Sequence, residues 1–151
     1  MGRYLEQPGF LVLVADDFEP WRNYACSELQ KCDGTYSIHE TADGLETVQK
    51  ALDLQPDLIL LDISIPKING IEAARQIRSK CPKIKILFVS EDRSLDVVRE
   101  ALSTGGQGYV VKSDGTQLLA AVEAVRQGCF FVSKSLAKYS LAATELDPSS
   151  R

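Results

Sequence analysis

The sequence predicts an α/β domain built on a doubly wound, five-stranded parallel sheet. Three observations predict it. Short, continuous apolar runs alternate five times with amphipathic helical segments, the pattern of strands covered by helices on both faces. The apolar runs are strand-sized and bounded by turn residues. The chain of 151 residues, 44% hydrophobic and 25% charged, has the length and composition of one domain with a sizeable core. Right-handed crossovers then give the strand order 2-1-3-4-5.

The elements follow in order. LVLVA (11–15) is the first strand. Trp21, Tyr24, Ala25, Leu29 and Cys32 keep helical spacing over 19–32, with Pro20 suited to the first turn. CDGTYSIHETA supplies a turn and a second strand, in which His39 reads as a surface residue with no special role. Leu45, Val48 and Leu52 mark the second helix, stopped at Gln55-Pro56. DLILLD (57–62) is a third strand, apolar throughout and ending in an acid. In the loop ISIPKING, Pro66 fixes φ, and Gly70 after Asn69 calls for a left-handed residue or a close approach. Ile71, Ala74 and Ile77 begin the third helix, which ends near Cys81-Pro82. KILFVS (85–90) is the fourth strand, and Leu95, Val98, Ala101 and Leu102 mark the helix after it, closed by Gly105-Gly106. GYVVK (108–112) is the fifth strand, and Leu118, Ala121, Val122 and Val125 form the fifth helix, closed by Gly128. CFFV is expected to pack against the domain edge, SKSLAKYSLAA to form a short helix, and ELDPSSR to fray. The predicted organisation is an N-terminal tail (1–9), one domain (10–132) and a C-terminal extension or linker without an output domain (133–151).

Composition excludes several classes. The net charge is −4, and no basic stripe is present, which argues against direct nucleic-acid binding. No apolar stretch approaches the ~20 residues of a membrane helix, and MGRYLEQPG has no apolar signal region. The four cysteines form no CxxC pair and stand with a single histidine, so reduced thiols and a cytoplasmic location are expected, and zinc is not.

In doubly wound sheets ligands bind beyond the carboxyl ends of the strands. Strand one ends at Asp16-Asp17, strand three at Asp62, strand four at Ser90 and strand five at Lys112. Three acids brought together would repel and raise one another's pKa. A hard divalent cation removes the conflict, and an oxygen donor set of this kind suits Mg²⁺. Each residue alone has a plainer reading. Asp16, Asp17 or Ser90 would serve as a helix cap, and Lys112 as a solvated charge. The conjunction is more specific, because four strands must each place the right type at the same end.

The pieces ADD (15–17), LILLDISIPKINGIEAARQIR (58–78), ILFVSE (86–91) and GGQGYVVKS (105–113) resemble those of bacterial two-component response-regulator receiver domains, which have a flavodoxin-like (βα)5 fold. The resemblance covers 10–132, and GYVVK with VEAVRQGCFFVS is most similar to the NarL/LuxR-type subgroup. It implies that Asp62 is the phosphoacceptor for a sensor histidine kinase. Asp17, Asp62 and the backbone carbonyl of Ser64 would hold Mg²⁺ directly, and Asp16 through a coordinated water. Lys112 would pair with the phosphoryl group. Ser90 and Tyr109 would form the switch that changes the helix-four/strand-five surface. Such a protein assists its own phosphorylation and dephosphorylation but turns over no separate substrate, so it is not an enzyme in the usual sense. A homodimer on phosphorylation is a further expectation.

The sequence departs from the commonest receiver pattern at three places. Ser90 stands where Thr is more frequent and keeps the hydroxyl. Glu91 puts a long acid where many receivers have a small residue, which bears on the phosphorylation rate. Ser113 replaces a proline, so a trans or a strained peptide is expected there. Ser64 and Asp92 lie where receivers tune the lifetime of the phosphoryl group, and Asp92 also reads as a helix cap. NarL/LuxR-type regulators continue into a helix-turn-helix module of about 60 residues, longer than 133–151, so this chain is not expected to bind DNA by that route itself. A stand-alone receiver and a piece of a longer regulator both fit. Three other readings are weaker. A haloacid-dehalogenase-like phosphohydrolase needs a second acid two residues after the nucleophile, where Ser64 stands. A flavodoxin-like cofactor binder wants a phosphate loop, where DDFEP repels phosphate. A degenerate receiver would work by protein contact alone.

Overall fold

A computed structural model describes residues 9–137. The elements are β1 (Phe10–Ala15), α1 (Glu19–Gln30), β2 (Tyr36–Thr41), α2 (Gly44–Leu54), β3 (Leu58–Asp62), α3 (Gly70–Lys80), β4 (Lys85–Ser90), α4 (Leu95–Ser103), β5 (Gly108–Val111), α5 (Leu118–Arg126), β6 (Phe131–Val132) and α6 (Lys134–Ala137). A 3-10 turn, Lys112–Gln117, joins β5 to α5.

Strand alternation sorts the apolar runs into two cores. Val12 and Val14, Leu58 and Leu60, Leu87 and Val89, and Val110 pack with Ala25 and Leu29 of α1 and Ala121, Val122 and Val125 of α5. Their neighbours Leu13, Ile59, Leu61, Ile86, Phe88, Tyr109 and Val111 face the other way. There they meet Ala51 of α2, Ala74 and Ile77 of α3, and Val98, Ala101 and Leu102 of α4. A strand with both faces covered needs apolar residues at every position, so β3 and β5 are buried end to end.

The sheet differs from the expected five strands. Among the described residues it has six parallel strands in the order β2-β1-β3-β4-β5-β6. The expected 2-1-3-4-5 order stands within it, and Phe131–Val132 adds to the free edge of β5. Gly128, at φ 89°, turns the chain after α5. Phe131 N–H then donates to the Gln107 carbonyl and Ser133 N–H to the Tyr109 carbonyl. Ser133 Oγ accepts the buried N–H of Val111 at 2.8 Å, and Leu136 of α6 is fully buried in the core that contains Tyr109. CFFV thus continues the sheet rather than merely leaning on it. The rest of the expected C-terminal helix, the tail beyond it and residues 1–8 lie outside the described residues.

The helix starts correct the capping readings. α1 has Phe18 at its N-cap position with no side-chain cap, and α4 is capped by Ser94. Neither Asp16, Asp17, Ser90 nor Asp92 caps a helix. Asn69 caps α3 by accepting the N–H of Glu72 at 2.9 Å. No cis peptide occurs among the described residues, the bond after Lys112 included. No helix among them is long and apolar enough to cross a membrane.

Candidate functional site

The ladder register brings the strand ends level. Ala15 pairs with Leu61, Asp62 with Val89, and Ser90 with Val111. The next residue along each strand therefore falls on one rim: Asp16-Asp17 after β1, Asp62 ending β3, Ser90 ending β4, and Lys112 just past β5. Lys112 opens the 3-10 turn instead of ending the strand, which leaves its ammonium over the rim. Asp17, Asp62, Ser64, Ser90, Glu91, Asp92 and Lys112 line an open cleft of about 420 Å³.

Asp16 and Asp62 are buried, at 1% and 5% exposure, and Asp17 is exposed. One carboxylate oxygen from each of the three lies within 4.8 Å of the others. Lys112 Nζ sits 2.7 Å from Asp16 Oδ2 and 3.8 Å from Asp62 Oδ1, so one ammonium is shared by two of the three acids. The Asp16 contact is a charge pairing without hydrogen-bond geometry, since Oδ2 is buried and has no hydrogen-bond partner. Burial, and next the negative charge of Asp16, push the Asp62 carboxyl up to about 6. The Lys112 charge and the Ser64 N–H, which donates to Asp62 Oδ1 at 3.3 Å, pull the other way without cancelling the shift. A buried orphan oxygen, a destabilised carboxylate and an all-oxygen donor set fit a divalent cation.

The loop after β3 is shaped around Asp62. Gly70 opens α3 directly against it: a Cβ there would lie 2.3 Å from the Asp62 carbonyl oxygen. Close approach, and not a left-handed backbone, is the reason for glycine at this position. The left-handed residue of the loop is Lys67, at φ 77°. Lys67 Nζ pairs with Asp43 at 3.4 Å.

The two expected switch residues meet through the backbone of Asp92. Ser90 Oγ accepts the Asp92 N–H at 3.0 Å. Tyr109, fully buried, donates its hydroxyl to the Asp92 carbonyl at 2.7 Å. Burial pushes the phenol up to about 12. The ring therefore already faces inward, against α4 and β4. Ser64, Glu91 and Asp92 are exposed at the mouth of the cleft, and His39 is exposed on β2 as expected.

Sequence reasoning did not single out two neighbours of the acids. Trp21, taken as a core-facing helix position, lies at the rim with its ring centroid 5.5 Å from Lys112 Nζ. Arg22 donates from Nη1 to the Asp16 carbonyl at 2.8 Å. Nothing in the spacing of a helical arginine announces that contact.

The family model described as "Response regulator receiver domain" matches residues 12–123. The chain is similar to Response regulator GacA of Pseudomonas viridiflava, at 30% identity over 138 residues, covering 91% of this chain and 64% of that protein. It is similar to Transcriptional regulatory protein LnrK of Bacillus subtilis (strain 168), at 31% identity over 118 residues, covering 78% of this chain and 54% of the relative. It therefore spans less than two thirds of the length of these curated relatives. Among solved structures, a two-component response regulator of the LuxR family from Aurantimonas sp. SI85-9A1 superposes with a TM-score of 0.81 at 28% identity, covering 87% of this chain and 94% of that one. With three quarters of the chain under the family model and the acid rim where the fold places it, this chain belongs to the response regulator receiver domains of two-component systems.

Proposed function

We propose that Asp62 is the phosphoryl acceptor of this receiver domain and that the donor is the phosphohistidine of a sensor histidine kinase. The observation that carries the reading is the convergence of Asp16, Asp17, Asp62, Ser90 and Lys112 in one cleft from four strand ends. A carboxylate oxygen of Asp62 forms the new P–O bond as the donor's P–N bond breaks, and the imidazole leaves with a proton taken from solvent. Phosphoryl transfer of this kind needs alignment and charge neutralisation more than covalent assistance. Asp16, Asp17, Asp62 and the backbone carbonyl of Ser64 would hold Mg²⁺, which when bound neutralises charge on the transferring group. Burial of Asp62 between Asp16 and Lys112 fixes its direction and keeps it more basic than an ordinary aspartate.

Lys112 turns from Asp16 to a phosphoryl oxygen, as a compact ammonium on a long stem allows. The Ser90 hydroxyl accepts one hydrogen bond from Asp92 and lies against the Tyr109 hydroxyl; donation to a phosphoryl oxygen would turn it away from Tyr109. Movement of Ser90 disturbs the Asp92 backbone, which also holds Tyr109. The surface of α4 and β5 thereby responds to charge at Asp62. The protein consumes one donor per acceptor and turns over no separate substrate. The domain starts at 10 and passes the expected end at 132, since Ser133 and Leu136 are buried in it, and its setting is cytoplasmic, suited to its free cysteines. It is assigned no direct nucleic-acid contact of its own, in keeping with its net charge of −4. Homodimerisation on phosphorylation is tested by sedimentation with and without a phosphoryl mimic.

The experiment is an intact-mass spectrum after incubation with Mg²⁺ and acetyl phosphate, on the wild type and on Asp62→Asn. One phosphoryl adduct, lost without Mg²⁺ and lost in the variant, is expected. Absence of an adduct from both acetyl phosphate and a phosphorylated histidine kinase would overturn the assignment.

A further inference from the structure

Asp16 is hydrogen-bonded at its N–H, its carbonyl and Oδ1, while Oδ2 has only the charge of Lys112 beside it. Its N–H donates to the Thr41 carbonyl at 3.0 Å. Oδ1 accepts the Phe18 N–H at 2.8 Å, and Oδ2 faces Lys112 Nζ at 2.7 Å. Its carbonyl lies beyond the last ladder pair, Ala15 with Thr41, and accepts from Nη1 of Arg22 at 2.8 Å. The same guanidinium donates from Nε to Glu40 Oε1 at 2.9 Å. Arg22 is therefore a fork, planted in α1, between β2 and the peptide that joins Asp16 to Asp17. The Arg22 side chain is only 18% exposed. Asp17 is exposed, and the plane of that peptide sets where its side chain departs.

We propose that Arg22 is a positioning residue for the metal site: clamped to Glu40, it fixes the Asp16–Asp17 peptide and with it the orientation of both carboxylates that metal binding requires. The inference rests on the reading of Asp16, Asp17 and Asp62 as the Mg²⁺ ligands. Groups that orient metal-binding carboxylates without touching the ion are part of the site's affinity. Two other roles for Arg22 make different predictions. A bare charge effect has the opposite sign, since removing a nearby positive charge would tighten cation binding. A simple tie between helix and sheet would lower stability and leave Mg²⁺ affinity alone. Lysine separates the fork from the charge, because one ammonium does not reproduce the planar two-acceptor geometry.

The test is a MgCl₂ titration of the full chain as wild type, Arg22→Lys, Arg22→Ala and Glu40→Gln. It is read through Trp21, the one tryptophan of the sequence, which stands beside Lys112. A second readout is the change in urea midpoint between metal-free and Mg²⁺-saturated protein. Arg22→Ala is expected to weaken Mg²⁺ binding roughly tenfold, with Arg22→Lys also weakened and Glu40→Gln nearly unchanged, because its amide oxygen still accepts from Nε. If Arg22→Ala does not fold, Arg22→Lys decides. Mg²⁺ affinity in the folded Arg22 variants equal to or tighter than wild type would overturn the inference while leaving the metal reading intact. A wild type that does not bind Mg²⁺ would overturn the metal reading itself, and this inference with it.

Discussion

Replacing Asp62 with asparagine should make the metal-free protein more stable at neutral pH. The side chain is 5% exposed, and its carboxyl is raised from 3.8 to about 6, first by burial and then by Asp16. A raised acid favours the protonated form in the folded state. Its contribution to stability is fully present below the unfolded value, near 4, and is lost as pH rises through about 6. At about 1.4 kcal/mol per pKa unit, the ionised carboxylate destabilises the fold by roughly 3 kcal/mol at pH 7. Asparagine keeps the shape and an acceptor for the Ser64 N–H, and Lys112 keeps Asp16 as its partner. Urea unfolding of both proteins in EDTA, at pH 4 and at pH 7, is the assay. Asp62→Asn should match wild type near pH 4 and gain about 2–3 kcal/mol by pH 7. Saturating Mg²⁺ should narrow the gap by stabilising the wild type. A variant equal to or less stable than wild type at pH 7 would refute the reasoning, because the carboxylate would then be at ease where it lies.

The other predictions concern its neighbours. Lys112→Met leaves Asp16 buried and unpaired beside Asp62, and should destabilise the fold at pH 7 by about 3–5 kcal/mol in urea unfolding. Ser133→Ala strips the buried Val111 N–H of its acceptor, and should lower stability by about 1–3 kcal/mol. Hydrogen exchange at Val111 should speed up with it. Glu91→Gln removes a negative charge from the cleft mouth, and should raise the rate of phosphorylation by acetyl phosphate. The advantage over wild type should shrink in high salt as the repulsion is screened, which stopped-flow Trp21 fluorescence would follow.

The alternation of apolar runs with helical spacing was enough to place β1 to β5, because doubly covered strands leave a signature of uninterrupted apolar residues. The acid rim was legible for a related reason. A parallel sheet puts all strand carboxyl ends together, so reading the last residue of each strand reads the site. The sixth strand was harder. Phe131–Val132 is two residues long, too short to show a period, and its pairing depends on β5 having a free edge. The same limit hid Arg22. Its value lies in a backbone carbonyl six positions earlier and a carboxylate on another strand, and neither leaves a mark on helical periodicity. Trp21 followed the helical pattern correctly, but the pattern does not say that Lys112 lies over its ring. Ser90 and Tyr109 are paired in the sequence only through the family resemblance, and their shared contact with the Asp92 backbone is a matter of geometry alone. Capping was misread at Asp92 because Ser94, two residues on, competes for the same role and wins.

The most direct test of the central claim is to locate the phosphoryl group. Protein treated with acetyl phosphate and Mg²⁺ would be reduced with borohydride, which converts an aspartyl phosphate to homoserine, then digested with trypsin and sequenced by mass spectrometry. Homoserine is expected at position 62 within peptide 51–67, with Asp53 and Asp57 of the same peptide untouched. Homoserine at another aspartate, or an adduct that persists in Asp62→Asn, would contradict the claim.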